Sequence, residues 1–241
     1  MARPPPRLPL SGLGAGARAL DADQARYLGR VLRLGEGEAI VAFDPEAELE
    51  ADAVLRGTGS RLAVELGPPR PATRRPRRRV TLLQGTGKGD KLDAIVRDAT
   101  ELGAVRLVPV LTARSVARPA AERGARWRRI AVEAARQCGR GDLLRVEEPL
   151  PLAEALPRFA RAPGACFAPG GEAGLGAFVR AAAASAEVCL LVGPEGGLEA
   201  GEIEAARAAG LWVVGLGPLV LRTETVCAAA RGARLALDDA G

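Results

Sequence analysis

Two short apolar runs near the end of the chain, each broken by glycine and proline, constrain the fold more than any other feature. Val188-Cys189-Leu190-Leu191-Val192 stops at Gly193-Pro194-Glu195-Gly196-Gly197, and Leu211-Trp212-Val213-Val214-Gly215-Leu216 stops at Gly217-Pro218. An apolar run without alternation, too short for a helix, reads as a strand buried on both faces, and such strands belong to parallel sheets with helices on each side. The alanine- and glutamate-rich stretch between the runs supplies one of those helices. Residues 187–237 therefore read strand, loop, helix, strand, loop, helix, with the two strands parallel and their loops adjacent. In open α/β sheets ligands sit beyond the carboxyl ends of the strands. Both glycine loops, and the string Leu221-Arg222-Thr223-Glu224-Thr225 behind the second, are expected to line one site.

The same alternation extends upstream. Val80-Thr81-Leu82-Leu83-Gln84 reads as a strand, and the helix after it carries Leu92, Ile95, Val96, Ala99 and Leu102 on one face, with Gly103 as its stop. Strands follow at 105–111, 143–146 and 165–167, and helices at 119–139, 152–159 and 175–184. Repetition of this kind predicts an α/β domain with a parallel sheet. Residues 1–67 differ: helix-like at 21–32, with Ala25, Leu28, Val31 and Leu32 on one face, then strand-length segments between turn residues. These predict a small β-barrel with one helix. Residues 68–79 hold four prolines and six arginines, the composition of a stiff linker, which divides the chain into domains at 1–72 and 73–241.

Charge is unevenly spread. Residues 73–146 carry 18 basic against 7 acidic side chains, a net +11, whereas the flanking segments carry −1 and −5. Six arginines, at 123, 126, 128, 129, 136 and 140, crowd the helix predicted over 119–139 and its exit, and few acids interrupt them. Like charges at i,i+3 and i,i+4 are unfavourable, so the cluster is expected to be neutralised by a polyanion such as an RNA backbone. A solvated arginine-rich surface accounts for the charge equally well.

Several classes of chemistry find no residues here. Histidine is absent, which removes the usual general base and every imidazole-ligated metal. Cys138, Cys166, Cys189 and Cys227 lie far apart, without metal or redox spacing, so they read as reduced packing residues of a cytoplasmic protein. No apolar run reaches the roughly 18 residues of a membrane span, and residues 1–10 do not look like a signal peptide. Gly85-Thr86-Gly87-Lys88-Gly89-Asp90 invites a P-loop reading that fails, because Leu82 stands at the leading glycine position and Gly89 at the hydroxyl position.

One glycine loop after a strand is weak evidence, but the combination is specific. Leu191 to Gly197, Glu202-Ile203, Leu216-Gly217-Pro218 and Leu221 to Thr225 resemble the SPOUT methyltransferases. Within these they are similar to the RsmE family, which methylates N3 of a uridine in 16S ribosomal RNA, the family target being uridine 1498. Thr100-Glu101-Leu102-Gly103, Arg114, Gln137-Cys138-Gly139-Arg140 and Arg30-Val31-Leu32-Arg33 agree, so the resemblance spans nearly the whole chain. Tyr27, Asp98, Leu144 and Val226 depart from the family pattern.

The resemblance implies a PUA-like RNA-binding barrel over 1–72. It implies a C-terminal α/β domain over 73–241 whose last segment is threaded as a trefoil knot, and a homodimer resting on apolar faces that include residues 228–237. It also implies S-adenosylmethionine held by Ala168, Pro169, Gly193, Pro194, Glu195, Gly196, Gly197, Leu216, Gly217, Leu221, Thr223 and Thr225. Arg222, Glu224 and Glu195 become the catalytic candidates: Arg222 to stabilise charge on the uracil oxygens, Glu224 to take the proton or orient Arg222, and Glu195 as second candidate for base. Expected RNA contacts are Arg7, Arg26, Arg30, Arg33, Lys88, Arg114, Arg126, Arg129 and Arg140, the partner being 16S rRNA within the 30S subunit, with neither metal nor membrane. A ribose 2′-O-methyltransferase and a non-catalytic rRNA-binding assembly factor are the alternatives.

Overall fold

The computed structural model describes residues 5–115, 121–160 and 163–238. The chain divides into two compact units, Met1–Arg75 with Ala135–Leu143, and Pro76–Ala134 with Leu144–Gly241.

The first unit contains β1 (Arg7–Pro9), β2 (Gly16–Ala19), α1 (Ala22–Arg26), β3 (Ala39–Asp44), β4 (Leu49–Arg56), β5 (Ala63–Leu66) and β6 (Arg70–Pro71). They form one sheet in the order β1-β3-β4-β5-β2, with β6 on β4; β1 runs parallel to β3 and the other pairs are antiparallel. Asp21 caps α1 by accepting from the Gln24 amide at 2.8 Å, while the Gln24 side chain accepts from the Asp21 amide at 3.0 Å. Beyond Arg26 the chain widens into a π-helical turn over Tyr27–Val31. That extra residue per turn changes the face expected from a 3.6-residue period: Ala25 and Leu28 are buried, but Val31 is 65% exposed.

Arg7 and Glu50 pair inside this unit at 2.8 Å, both buried. Burial alone would raise the Glu50 carboxyl, but the hydrogen bond and charge of Arg7, aided by Thr73 and Arg70, hold it below the usual carboxylate range. The arginine- and proline-rich segment at 68–79 is not a bare linker. Its start is the short edge strand β6, Arg70 makes a bidentate bridge to Asp52 at 2.7 and 2.8 Å, and Arg75 pairs with Glu48. The acids that tie it down lie about twenty residues earlier, where sequence-local reading does not look.

The second unit holds β7 (Arg79–Gly85), α2 (Lys91–Glu101), β8 (Arg106–Leu111), α3 (Ala121–Cys138, whose last turn is grouped with the first unit), β9 (Arg145–Val146), β10 (Leu150–Pro151) and α4 (Leu152–Phe159). After these come β11 (Gly164–Phe167), β12 (Ala173–Gly174), α5 (Leu175–Ala181), β13 (Glu187–Val192), α6 (Ala200–Ala208), β14 (Leu211–Gly215) and α7 (Thr223–Asp238). The sheet order is β10-β8-β7-β13-β11-β14-β12, with β9 on β8, and every pair is parallel. Residues 119–120, the expected start of α3, lie outside the described residues.

Alternate side chains of one strand enter opposite cores, which explains the uninterrupted apolar runs. Val188, Leu190 and Val192 of β13 join Ile95 and Val96 of α2, Trp127 of α3, Phe178 of α5 and Cys227 of α7. Cys189 and Leu191 join Leu152, Ala155 and Leu156 of α4 and Ala206 of α6. Each large buried side chain contributes about 1.5–3 kcal/mol. β11 lies between β13 and β14, so three loops stand side by side at the carboxyl edge.

Candidate active site

The loops after β11, β13 and β14 enclose a cavity of about 600 Å³, closed on one side by the start of α7. Its walls include Phe167, Ala168, Pro169, Val192, residues 193–197, Leu216, Gly217, Leu219, Val220, Leu221, Arg222, Thr223, Val226 and, from α2, Lys91. The volume lies in the range of small-molecule sites. Gly197 (φ +72°) and Gly217 (φ +94°) both adopt the left-handed conformation, and a Cβ at either would meet nothing within 4 Å. Their backbones border open space, which a bound molecule can approach closely.

The cavity is fixed from beneath by a buried polar network. Thr223 Oγ1 donates to the Gly193 carbonyl at 2.8 Å and accepts from Gln84 Nε2 at 2.9 Å. Gln84 is fully buried at the carboxyl end of β7, and its Oε1 accepts from the Cys227 thiol at 2.9 Å. Glu202 is the second clasp: one carboxylate oxygen caps α6 through the Glu199 amide at 2.9 Å, and the other accepts from the Ala113 amide at 2.8 Å. Arg114 Nη1 donates to the Gly196 carbonyl at 2.6 Å.

The glycines of the failed P-loop have a structural explanation. A Cβ on Gly85 would overlap Pro194 and stand 2.8 Å from the Gly193 carbonyl carbon, and one on Gly87 would overlap the Glu195 carboxylate. These glycines make room for the loop after β13. Glu195 is thereby seated 3.1 Å from Lys91 Nζ. Burial would raise its carboxyl, yet its own amide, Lys91 and the Lys88 amide together hold it below the usual range. A carboxylate so stabilised keeps its charge and is a weak base.

All the cofactor candidates named from the sequence line the cavity except Thr225, which is exposed on α7. Arg222 lines it, is exposed, and has no ion pair among the described residues. Glu224 does not line it, and its Oε2 is buried with no hydrogen-bond partner among the described residues. Arg222 and Glu224 do not pair, so the reading in which Glu224 orients Arg222 is set aside.

The RNA candidates separate into two groups. Arg7 and Arg140 are buried, Arg7 on Glu50 and Arg140 in a bidentate bridge to Asp142 at 2.6 and 2.8 Å; both serve packing and offer no exposed guanidinium. Arg126 pairs with Asp93 at 2.6 Å, Arg26 lies 3.3 Å from Asp23, and Arg114 is committed to the Gly196 carbonyl. Arg30, Arg33, Lys88 and Arg129 are exposed and carry no ion pair among the described residues. Asp93 and Glu148, from outside α3, meet Arg126 and Arg128, so these two arginines need no polyanion to neutralise them. Tyr27 lies 4.0 Å beneath the Arg136 guanidinium.

Sequence reasoning missed Gln84 and Lys91. Lys91 carried a signal, as one of two lysines in a chain with 34 basic residues, whereas Gln84 looked like the frayed end of a strand.

The family described as "RNA methyltransferase domain" matches residues 73–234, and "RNA methyltransferase PUA domain" matches residues 20–64. A ribosomal RNA small subunit methyltransferase E of Synechocystis sp. is 32% identical over 213 residues, 84% of this chain and 67% of the relative. Its counterpart in Bacillus subtilis is 30% identical over 223 residues, 86% and 85% of the two chains. Among solved structures, the enzyme of that name from Neisseria gonorrhoeae, bound to S-adenosyl methionine, superposes with a TM-score of 0.87 at 30% identity, covering 97% of this chain and 98% of the other.

Proposed function

The chain belongs to the ribosomal RNA small subunit methyltransferase E family, and from that premise we propose that its cavity binds S-adenosylmethionine and that it methylates N3 of one uridine in 16S rRNA of the small subunit. The observation that carries the reading is the meeting of Arg222 with the three carboxyl-edge loops in one cavity of suitable size. The cofactor supplies the activated methyl group on its sulfonium. The residues present fit it: Gly197 and Gly217 expose backbone to the cavity, while Phe167, Leu216, Leu221 and Val226 give apolar walls.

Methyl transfer asks the chain for alignment and for control of charge on the uracil. Arg222, unpaired and at the cavity wall, stabilises the uracil oxygens as N3 loses its proton. Glu195 lines the cavity, pairs with Lys91 and anchors the loop, and it stands as the second candidate for base. Glu224 is the other candidate for proton acceptor: its Oε2 has no hydrogen-bond partner among the described residues, although it is buried and does not line the cavity. Arg222→Ala is expected to lower kcat by about a hundredfold with an unchanged melting temperature. Full turnover by this folded variant would refute its role.

We extend the proposal to the finer features of the family. The early 1–72 domain serves as an RNA-binding PUA-like module, with Arg30 and Arg33 among its exposed cations. A trefoil knot in the C-terminal domain belongs to the same reading. A homodimer is supported by Leu219 and Val220, 74% and 83% exposed, rather than by Cys227 and Ala230, which enter the core; the side chains of residues 233–237 lie outside the described residues. Work on an assembled 30S subunit in the cytoplasm follows from the same reading.

A further inference from the structure

We propose that Gln84 is a positioning residue for methyl transfer, holding Thr223 and the Gly193 carbonyl so that Arg222 and the cofactor loop keep one geometry. The inference rests on the reading of the cavity as the cofactor site. Gln84 shares a strand face with Val80 and Leu82, both of which join the apolar core. A buried amide among such neighbours costs several kcal/mol unless its hydrogen bonds are made. All of its polar atoms are engaged. Nε2 meets Thr223 Oγ1 at 2.9 Å, the Gly85 carbonyl at 3.1 Å and the Gly193 carbonyl at 3.4 Å, and Oε1 meets the Cys227 thiol at 2.9 Å.

The amide has only one tenable orientation. Exchanging its nitrogen and oxygen would set Oε1 against two carbonyl oxygens, so Nε2 must face Gly85 and Gly193. Thr223 Oγ1 accepts from Nε2, which commits its own hydrogen to the Gly193 carbonyl at 2.8 Å. Three distant stretches of chain, at residues 84, 193 and 223, are thus fixed by one directional relay. Gly193 and Thr223 line the cavity, and Arg222 directly precedes Thr223. An apolar residue of equal size would fill the space but would leave Thr223 free to turn.

The test compares Gln84→Leu with the wild type, and Thr223→Val with both. Three quantities are read: amide exchange of the cofactor-free protein, melting temperature, and kcat and KM for methyl transfer to undermethylated 30S subunits. Gln84→Leu is expected to speed exchange at Val226 and around Gly193, and to lower kcat by about tenfold. KM for the subunits should stay within about twofold, since the amide touches no RNA. Thr223→Val should reproduce the pattern, and the double variant should be no worse than the worse single one. Should Gln84→Leu not fold, Gln84→Asn replaces it, with the same expected pattern. Unchanged exchange together with kcat within twofold of wild type would reduce Gln84 to a core residue and overturn the proposal. Absence of S-adenosylmethionine binding by the wild type would instead remove the cofactor reading, while the exchange contrast would still decide whether Gln84 holds the loop.

Discussion

The loops that follow β7 and β13 look alike in sequence and use glycine in opposite ways. Both are glycine-rich and both leave buried parallel strands that pair directly with one another. At Gly85 and Gly87 the missing side chains make room for protein, namely Pro194 and the Glu195 carboxylate. Gly197, and Gly217 in the neighbouring loop, line the cavity, and a Cβ at either would meet no atom of the chain. A glycine motif therefore states that something must come close to the backbone, but not whether it is a ligand or another part of the chain. The failed phosphate-loop pattern at 85–90 is a packing motif for the loop after β13 beside it.

Substitutions in the two loops should separate these roles. Gly85→Ala is expected to have the largest effect, destabilising the fold by about 3 kcal/mol in a denaturant titration, because the clash is with backbone and a proline ring that cannot turn aside. A loss below about 0.5 kcal/mol would show that the two loops are not packed as described. Gly87→Ala meets only the end of a side chain, so Glu195 should swing away from Lys91. It should cost about 1 kcal/mol of stability and weaken S-adenosylmethionine binding several-fold by calorimetry. Gly197→Ala meets no atom, and its expected cost of about 1 kcal/mol comes from the left-handed backbone alone. The smallest effect is the pH response of Glu195. Its folded pKa is depressed below the ordinary 4.5, so its stabilising contribution is complete above that value and is lost as pH falls through the folded pKa. Lys91→Ala should flatten that part of the acid-unfolding profile, by well under 1 kcal/mol for a pair this exposed.

Most of the second unit was legible because its signals are local. The apolar runs of β13 and β14, the helical face of Leu92, Ile95, Val96 and Ala99, and the glycine stops are each decided within a few residues of chain. Nearly all the residues that line the cavity belong to motifs readable in order, from Ala168 to Thr223. What escaped depends on contacts distant in sequence. Gln84 meets Gly193, Thr223 and Cys227 from 109 to 143 residues away, and no spacing rule points to it. Asp93 neutralises Arg126 across 33 residues, and Glu50 takes Arg7 into the interior, so counts of charge along the chain overstated the free basic surface. Val31 turned outward because a π-turn replaced the expected period, and β1, β2 and β6 are too short or too polar for a pattern to register.

The central claim is that the cavity at the carboxyl edge delivers a methyl group to N3 of a small-subunit uridine. It is tested most directly by incubating the protein with labelled S-adenosylmethionine and undermethylated 30S subunits, then digesting the 16S rRNA and identifying the labelled nucleoside. The account predicts 3-methyluridine, formed by the wild type and about a hundredfold more slowly by Arg222→Ala. Label on a ribose, or no transfer by a protein that does not take up the cofactor, would contradict it.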